Sequence, residues 1–486
     1  MTAQLFDKKP PLHDDHLDNE LSRILNEVFS GRLQDSERGR IDPGRVLILP
    51  PDTSRIHSRA GFLSGVVCRE LAKQTQKAAL NKTGAPYWQL GGIMPALGTH
   101  RPLSPEEIRR MFPACPEEQF ISHCWRSDTV ELGRLEADWV ETAFACLGSN
   151  NVLQQNAKTS VSSRIFRTEW PVEVNRLLRD GPVLTDNSLD VPVQKPFSLI
   201  ISIGQVVPHE IAGMANHAKN IFIGTGGKEA IHKSHWLGAL YGLERLMGKT
   251  ENPVRALLDE ALHRYGHLLP PILWVLTVVD SGNQVRGFFC GFGRACFEKA
   301  AALSEKVNII TESSPLPKSV VYLDPGEYRS TWLGNKAIYR TRKAIMDGGE
   351  LIILAPGIDC FGEDPGMDTI IRRYGYRGAD AVKKAVESET DLKTNLGAAA
   401  HLIHGSSEDR FTIRYCTAGG TSGSANGTLL NRSDIESVGY EWGNLEESAA
   451  RYIPLGPLKQ KEGWNTALDG ERYYFIRNPG LGLWTV

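Results

Sequence analysis

The chain has 486 residues, more than one hydrophobic core usually serves, so two domains are expected. A formal net charge of −2 lacks the basic excess of a nucleic-acid binder, and apolar runs such as ILWVLTVV are too short to span a bilayer. The eight cysteines form no C-x-x-C pair, and the polar start MTAQLFDKKPPLHDDHLDNE has no apolar signal core, which points to reduced thiols in a cytoplasmic protein.

In chain order, the first forty residues are polar and are expected to be ordered only in part. RVLILP (45–50) reads as a short buried strand, PPDTSRIHSRAG as a loop and GFLSGVVCRELAKQTQKA as an amphipathic helix. Ser104 and Glu107 form a capping box with Pro105 at the first helical position, so a helix begins just after PALGTHRP. SLIISIGQVV is a buried strand leading to His209, and a Gly-Thr-Gly-Gly turn opens a helix from about Lys228. ILWVLTVVD is a strand and GRACFEKAAALSEKV a helix. The Ser/Pro-rich break TESSPLPKS lies near residue 315. Beyond it SVVYLD, NKAIYRTRKAIMDG and ELIILAP alternate strand, helix, strand, the start of a second parallel sheet. TAGGTSGSANG is flexible by composition. The expected architecture is α/β: two Rossmann-like domains, 1–312 and 313–464, with a cofactor cleft between them and residues 465–486 returning to the first.

The densest chemistry lies between Pro208 and Trp236, where four histidines and three lysines surround the glycine turn. In α/β folds ligands gather at the carboxyl ends of strands, where His209 would stand. Backbone N–H groups of the turn, including Gly226 and Gly227, could cradle a phosphate with the helix behind them. His232 and His235, three apart, share one helix face. Each histidine alone is more often a solvated or hydrogen-bonded residue, and no Walker or G-x-G-x-x-G spacing is present. Three loops add to the cluster. Asp52 and Arg55 could hold a hydroxyl and a carboxylate, or form a surface ion pair. Thr99 and His100 precede the capped helix, whose dipole biases a histidine toward the neutral base. Tyr339, Arg340 and Lys343 could clamp a carboxylate, or make a solvated basic face.

Together, D-x-x-R, G-T-H-R-P, P-H-x-x-A-G with a lysine ten residues past its histidine, and S-H sixteen beyond that lysine resemble the nickel-pincer lactate racemase family over roughly residues 45 to 355. The resemblance implies two α/β domains and a nickel pyridinium-3,5-bisthiocarboxylic acid mononucleotide that serves racemisation or epimerisation of 2-hydroxy acids. It implies that His100 and His209 are paired acid/base groups, that Lys219 lies against a thiocarboxylate arm and can be tethered to it, and that His235 ligates nickel. Asp52, Thr99, Gly226 and Gly227 would then stand near the cofactor, and Arg55, Tyr339, Arg340 and Lys343 near the substrate. Two features depart from the family. Its glycine-glycine-arginine before the lysine is Asn216-His217-Ala218 here, which removes a phosphate contact. A glutamine beside the second-domain tyrosine is Arg340 here, an extra cation. Trp332 is a weak candidate for the family's cofactor-stacking tryptophan.

The residue types suit such chemistry. Hydride removal turns a 2-hydroxy acid into a planar keto acid that can be reduced from either face, while a histidine of pKa near neutrality takes the hydroxyl proton. Arg340 with the polar stretches Cys360–Asp364 and Ala400–Ser407 and with Arg410 suggests a pocket for several hydroxyls, hence an aldonate such as D-gluconate or D-mannonate. Lactate, malate or another short 2-hydroxy acid is the alternative. The implied partners are this small substrate and the cofactor-biosynthesis proteins that load the enzyme, with no nucleic acid and no membrane. Two other classes compete: a zinc hydrolase, which lacks its usual H-E-x-x-H here, and a non-catalytic carrier of the nickel cofactor, which would not need two acid/base histidines.

Overall fold

In the computed structural model, which describes residues 10–35, 37–81, 85–146, 163–186, 191–419 and 429–486, the chain forms two compact units. One comprises Met1–Ser234 and Lys249–Val307, the other His235–Gly248 and Asn308–Val486. Most of the Gly/Ser segment expected to be flexible lies outside the described residues.

The first unit is built on a five-stranded sheet in the order Val285–Phe292, Ile272–Val279, Leu199–Gln205, Arg45–Leu49, Gln89–Ile93. Only the edge strand Val285–Phe292 is antiparallel to its neighbour. Every residue of Leu199–Gln205 and Ile272–Val279 is buried, which is why these segments read as unbroken apolar runs rather than alternating ones. Parallel pairing sets three neighbouring carboxyl ends side by side, and the loops leaving them carry Asp52, His100 and His209.

The N-terminal region is better ordered than its composition suggests. Asp14–Phe29 is a helix that buries Leu17, Leu21, Ile24, Leu25 and Val28, an apolar stripe of helical period hidden among acidic residues. Arg69 on the helix Ala60–Asn81 pairs with its Asp18. That second helix approaches the segment after Pro105–Met111 closely. A Cβ at Gly61 would lie 1.6 Å from the Met111 carbonyl oxygen, and one at Gly65 would lie 2.8 Å from the Ala114 Cβ.

The second unit holds a six-stranded sheet in the order Glu441–Asn444, Thr412–Thr417, Ile345–Ala355, Leu316–Tyr322, Arg472–Ile476, Gly463–Thr466, with only the last strand antiparallel. The C-terminal residues 465–486, expected in the first domain, belong here instead. Arg472–Ile476 pairs beside Leu316–Tyr322, and Leu483–Thr485 pairs with Ile309–Thr311. Residues 235–248 also belong here, because Ala239, Leu243 and Met247 pack in this unit's core; the helix Lys228–Tyr241 therefore contributes to both units. The expected helix through residue 348 ends at Thr341, and a strand starts at Ile345, where pairing with Leu316 overrides local helical preference.

Candidate active site

Asp52 caps the short 3-10 turn Thr53–Ser58 that follows the first strand. Its Oδ1 accepts from the Ser54 backbone N–H at 3.2 Å and from the Ser54 hydroxyl at 2.6 Å. Its Oδ2 meets Nδ1 of His100. A carboxylate only accepts, so the His100 Nδ1 carries the proton and the lone pair is on Nε2. The Thr99–His100 loop is anchored at Gly98, whose N–H donates to the Gly224 carbonyl at 2.8 Å. Gly98 sits at φ +57°, where a side chain would be strained.

His209 presents the opposite arrangement. The two-residue strand Pro208–His209 pairs with Gly213–Met214, and the tight loop between them turns the backbone N–H groups of Ile211 and Ala212 onto the His209 Nδ1, at 3.1 and 3.5 Å. Nδ1 is therefore the acceptor, and the neutral ring carries its hydrogen on Nε2, 3.8 Å from Glu210 Oε1. His100 can accept a proton at Nε2, whereas His209 can donate a hydrogen bond there.

Lys219 lies on the helix Ala218–Phe222 with part of its surface still open. Burial, reinforced by the positive charge of Arg55, lowers its pKa to about 8. The segment before it replaces glycines by Asn216 and His217, both in the left-handed region at φ 72° and 58°. Asn216 tolerates this because its own Oδ1 accepts the His217 N–H at 2.7 Å. His217 fills a slot between Trp274 and Phe297, with Nδ1 3.7 Å from Asp259, and burial lowers its pKa. Arg255, fully buried one helical turn before Asp259, donates to the carbonyls of Asn216 (3.2 Å) and Met214. This cation pins the strained segment from below. It was missed in the sequence although Asn252 and Pro253 mark the start of its helix, Pro253–Tyr265.

The glycines expected to cradle a phosphate are used internally. The Gly226 carbonyl accepts from Nε2 of His123 at 3.1 Å, and a Cβ at Gly227 would lie 2.5 Å from the Glu173 carboxylate. Glu173 accepts the Ala230 N–H at 2.9 Å, so a carboxylate of the chain already occupies the first turn of Lys228–Tyr241. Burial raises the pKa of Glu173 and lowers that of His123 to about 4.

In the second unit, Tyr339 and Arg340 lie on the helix Lys336–Thr341, and Lys343 follows it, half-buried and bridged to Thr485. Arg340 is fully buried. The chain itself covers this guanidinium. Arg410 pairs with Asp347 and Glu244, and Asp364 caps the helix Pro365–Tyr374, so these polar residues serve the fold. Tyr339 belongs to a buried hydrogen-bond network. The Thr331 hydroxyl donates to the Phe361 carbonyl at 3.0 Å, so the Tyr376 hydroxyl, 2.9 Å away, must donate to Thr331. The Tyr376 oxygen then accepts from His401 Nε2 at 2.9 Å, and His401 Nδ1 accepts the Tyr339 hydroxyl hydrogen at 2.7 Å. The chain of directions makes the Tyr339 hydroxyl the donor to His401. Trp332 stacks on His401, with centroids 4.2 Å apart, which commits one face of the ring expected to stack on a cofactor.

His235 is half-buried on Lys228–Tyr241, while His232 packs on Trp125 at 5.5 Å. Among the described residues, no group of three or more His, Cys, Asp or Glu is gathered that could hold a metal ion. No described helix is long and apolar enough to cross a membrane.

No protein-family model matches the chain, and no curated protein does. Solved structures do. A Thermotoga maritima protein from a structural genomics programme aligns with a TM-score of 0.72 over 98% of this chain and 99% of its own, at 20% identity. The lactate racemase apoprotein of Thermoanaerobacterium thermosaccharolyticum aligns with a TM-score of 0.60 over 96% of this chain and 93% of its own, at 15% identity. The chain has a lactate racemase-like α/β fold.

Proposed function

We propose that this protein is an isomerase that racemises or epimerises a 2-hydroxy acid with a nickel-pincer nucleotide. The observation that carries the reading is the Asp52–His100 pair on a strand end neighbouring the one that leads to His209, within a lactate racemase-like fold. When bound, the nucleotide supplies a centre that accepts hydride from the substrate C2 and returns it. The donor set fits such a group: His235 offers one imidazole, which suits a metal whose other donors come from a bound ligand, and Lys219 offers an amine of lowered pKa to a thiocarboxylate. Loading by cofactor-biosynthesis proteins belongs to the same reading.

His100 takes the hydroxyl proton at Nε2, and Asp52 orients the ring and balances the charge it gains. His209 donates its Nε2–H to the same oxygen as it becomes a carbonyl. The two histidines are thus unequal: one moves a proton, the other steers an oxygen. Arg55 is assigned to the substrate carboxylate and Lys343 to a further substrate contact; the family resemblance carries both roles. The phosphate is not assigned to Gly226 and Gly227, since Glu173 stands there.

The substrate we propose is an aldonate, with D-gluconate and D-mannonate as the pair. The reading rests on the polar stretch Ala400–Ser407, which the sequence offers for several hydroxyls. The test is to incubate loaded enzyme with D-gluconate in deuterated water and follow carbon and proton NMR. Mannonate should form with its C2 hydrogen retained, since hydride does not exchange with solvent. Turnover of lactate or malate without mannonate would remove the aldonate, and deuterium at C2 would remove the hydride route.

A further inference from the structure

We propose that Cys68 and Cys115 are a modification site that closes to an intramolecular disulfide on meeting a low-molecular-weight disulfide such as oxidised glutathione. Their Sγ atoms lie 3.9 Å apart, across the contact between the helix Ala60–Asn81 and the segment that follows the helix Pro105–Met111. A disulfide needs about 2.05 Å, so the sulfurs must turn toward each other for the bond to form. The backbones are already close for a separate reason. Gly61 and Gly65 remove the side chains that would hold the segment off, and Cys68 lies one helical turn beyond Gly65, on the same face. Ala114, the residue that Gly65 receives, is the chain neighbour of Cys115.

Cys68 is buried, and the route to it is a cavity. A cavity of about 740 Å³ is lined by Cys68 with Arg69, Arg110, Met111, Ala114 and Pro116, and Cys115 is itself half-exposed. Cys68 is the thiol that lines the cavity, and its hydrogen bond with Cys115 lowers its pKa, so it is the first nucleophile. The Cys68 thiolate attacks one sulfur of the oxidant and expels one glutathione thiolate, which takes up a proton. Cys115 then loses its proton and attacks the Cys68 sulfur, breaking the mixed disulfide and releasing the second glutathione thiol. The two cysteines give up two hydrogens and two electrons, and the oxidant leaves as two thiols. The new bond ties the segment after Met111 to the first unit's long helix. Nothing in it depends on the reaction proposed above.

The experiment treats the folded full-length chain with oxidised glutathione and reads intact mass, then maps peptides without reduction. The expected result is a loss of two hydrogen masses, a peptide linking residues 68 and 115, and a melting temperature that rises and falls back on adding reductant. Cys115→Ser should instead trap one glutathione on Cys68, and Cys68→Ser should give no cross-link. A wild-type chain that carries stable glutathione without a cross-link, pairs different cysteines, or links these two only in urea would overturn the proposal.

Discussion

The loops at the strand ends of the first unit and the cluster around His401 in the second handle hydrogen in opposite ways. At Asp52, His100 and Lys219 there is a lone pair with a carboxylate behind it and an amine whose pKa lies near neutrality, so protons can be taken and released. From Tyr339 through His401 and Tyr376 to Thr331 every hydrogen already has a direction, and the chain ends on a backbone carbonyl. Burial raises the pKa of Tyr376 and keeps it protonated. The contrast separates two jobs. Titratable groups beside charges can exchange protons at neutral pH, whereas a buried neutral network fixes which partner a hydroxyl will accept.

His100→Gln should break the comparison most severely. It removes the base while leaving a polar side chain, and turnover of the proposed reaction should fall about 10²- to 10⁴-fold. Steady-state rates on folded, cofactor-loaded protein check this; an unchanged rate would assign the proton transfer elsewhere. His209→Phe comes next, with a loss of roughly 10²- to 10³-fold as an oxygen-directed donor disappears. His209→Gln should restore most of that loss, since an amide N–H can replace a neutral Nε2–H. If glutamine rescues position 100 but not 209, the roles are the reverse of those argued.

Smaller effects sharpen the second half of the comparison. His401→Phe removes the two hydrogen bonds that order Tyr339 and Tyr376, and the loss, about 1 kcal/mol for each, should lower the melting temperature with turnover little changed. The last test is a pH profile. The lowered pKa disfavours the cation of Lys219 in the fold, so its acylation by a small reagent should rise with a midpoint near about 8 instead of the ordinary 10.5, read by peptide mass spectrometry. Between those values the unfolded chain binds the proton that the folded chain has released, so this group makes stability increase with pH across that window. A midpoint near the ordinary value would take Lys219 out of the nucleophile's role.

Periodicity and punctuation carried much of the architecture. The apolar runs 199–205 and 272–279, the capping box at Ser104 and the helix from Lys228 are local patterns whose physics is complete within a dozen residues. The candidate residues were legible as types: Asp52 and His209 each follow a recognisable strand and His100 precedes a capped helix, whereas the strand Gln89–Ile93 that leads to His100 was not legible. What stayed hidden depended on distant partners. Glu173 takes the helix end where a phosphate was expected, Arg255 pins Asn216 from another helix, and Arg340 disappears into the interior. The C-terminal strand joins the second sheet because an open sheet edge accepts any strand of the right length, whatever its place in the chain. Which nitrogen of His100 or His209 carries a hydrogen is likewise invisible in a string of letters, since the neighbour on the other nitrogen decides it and only folding supplies that neighbour.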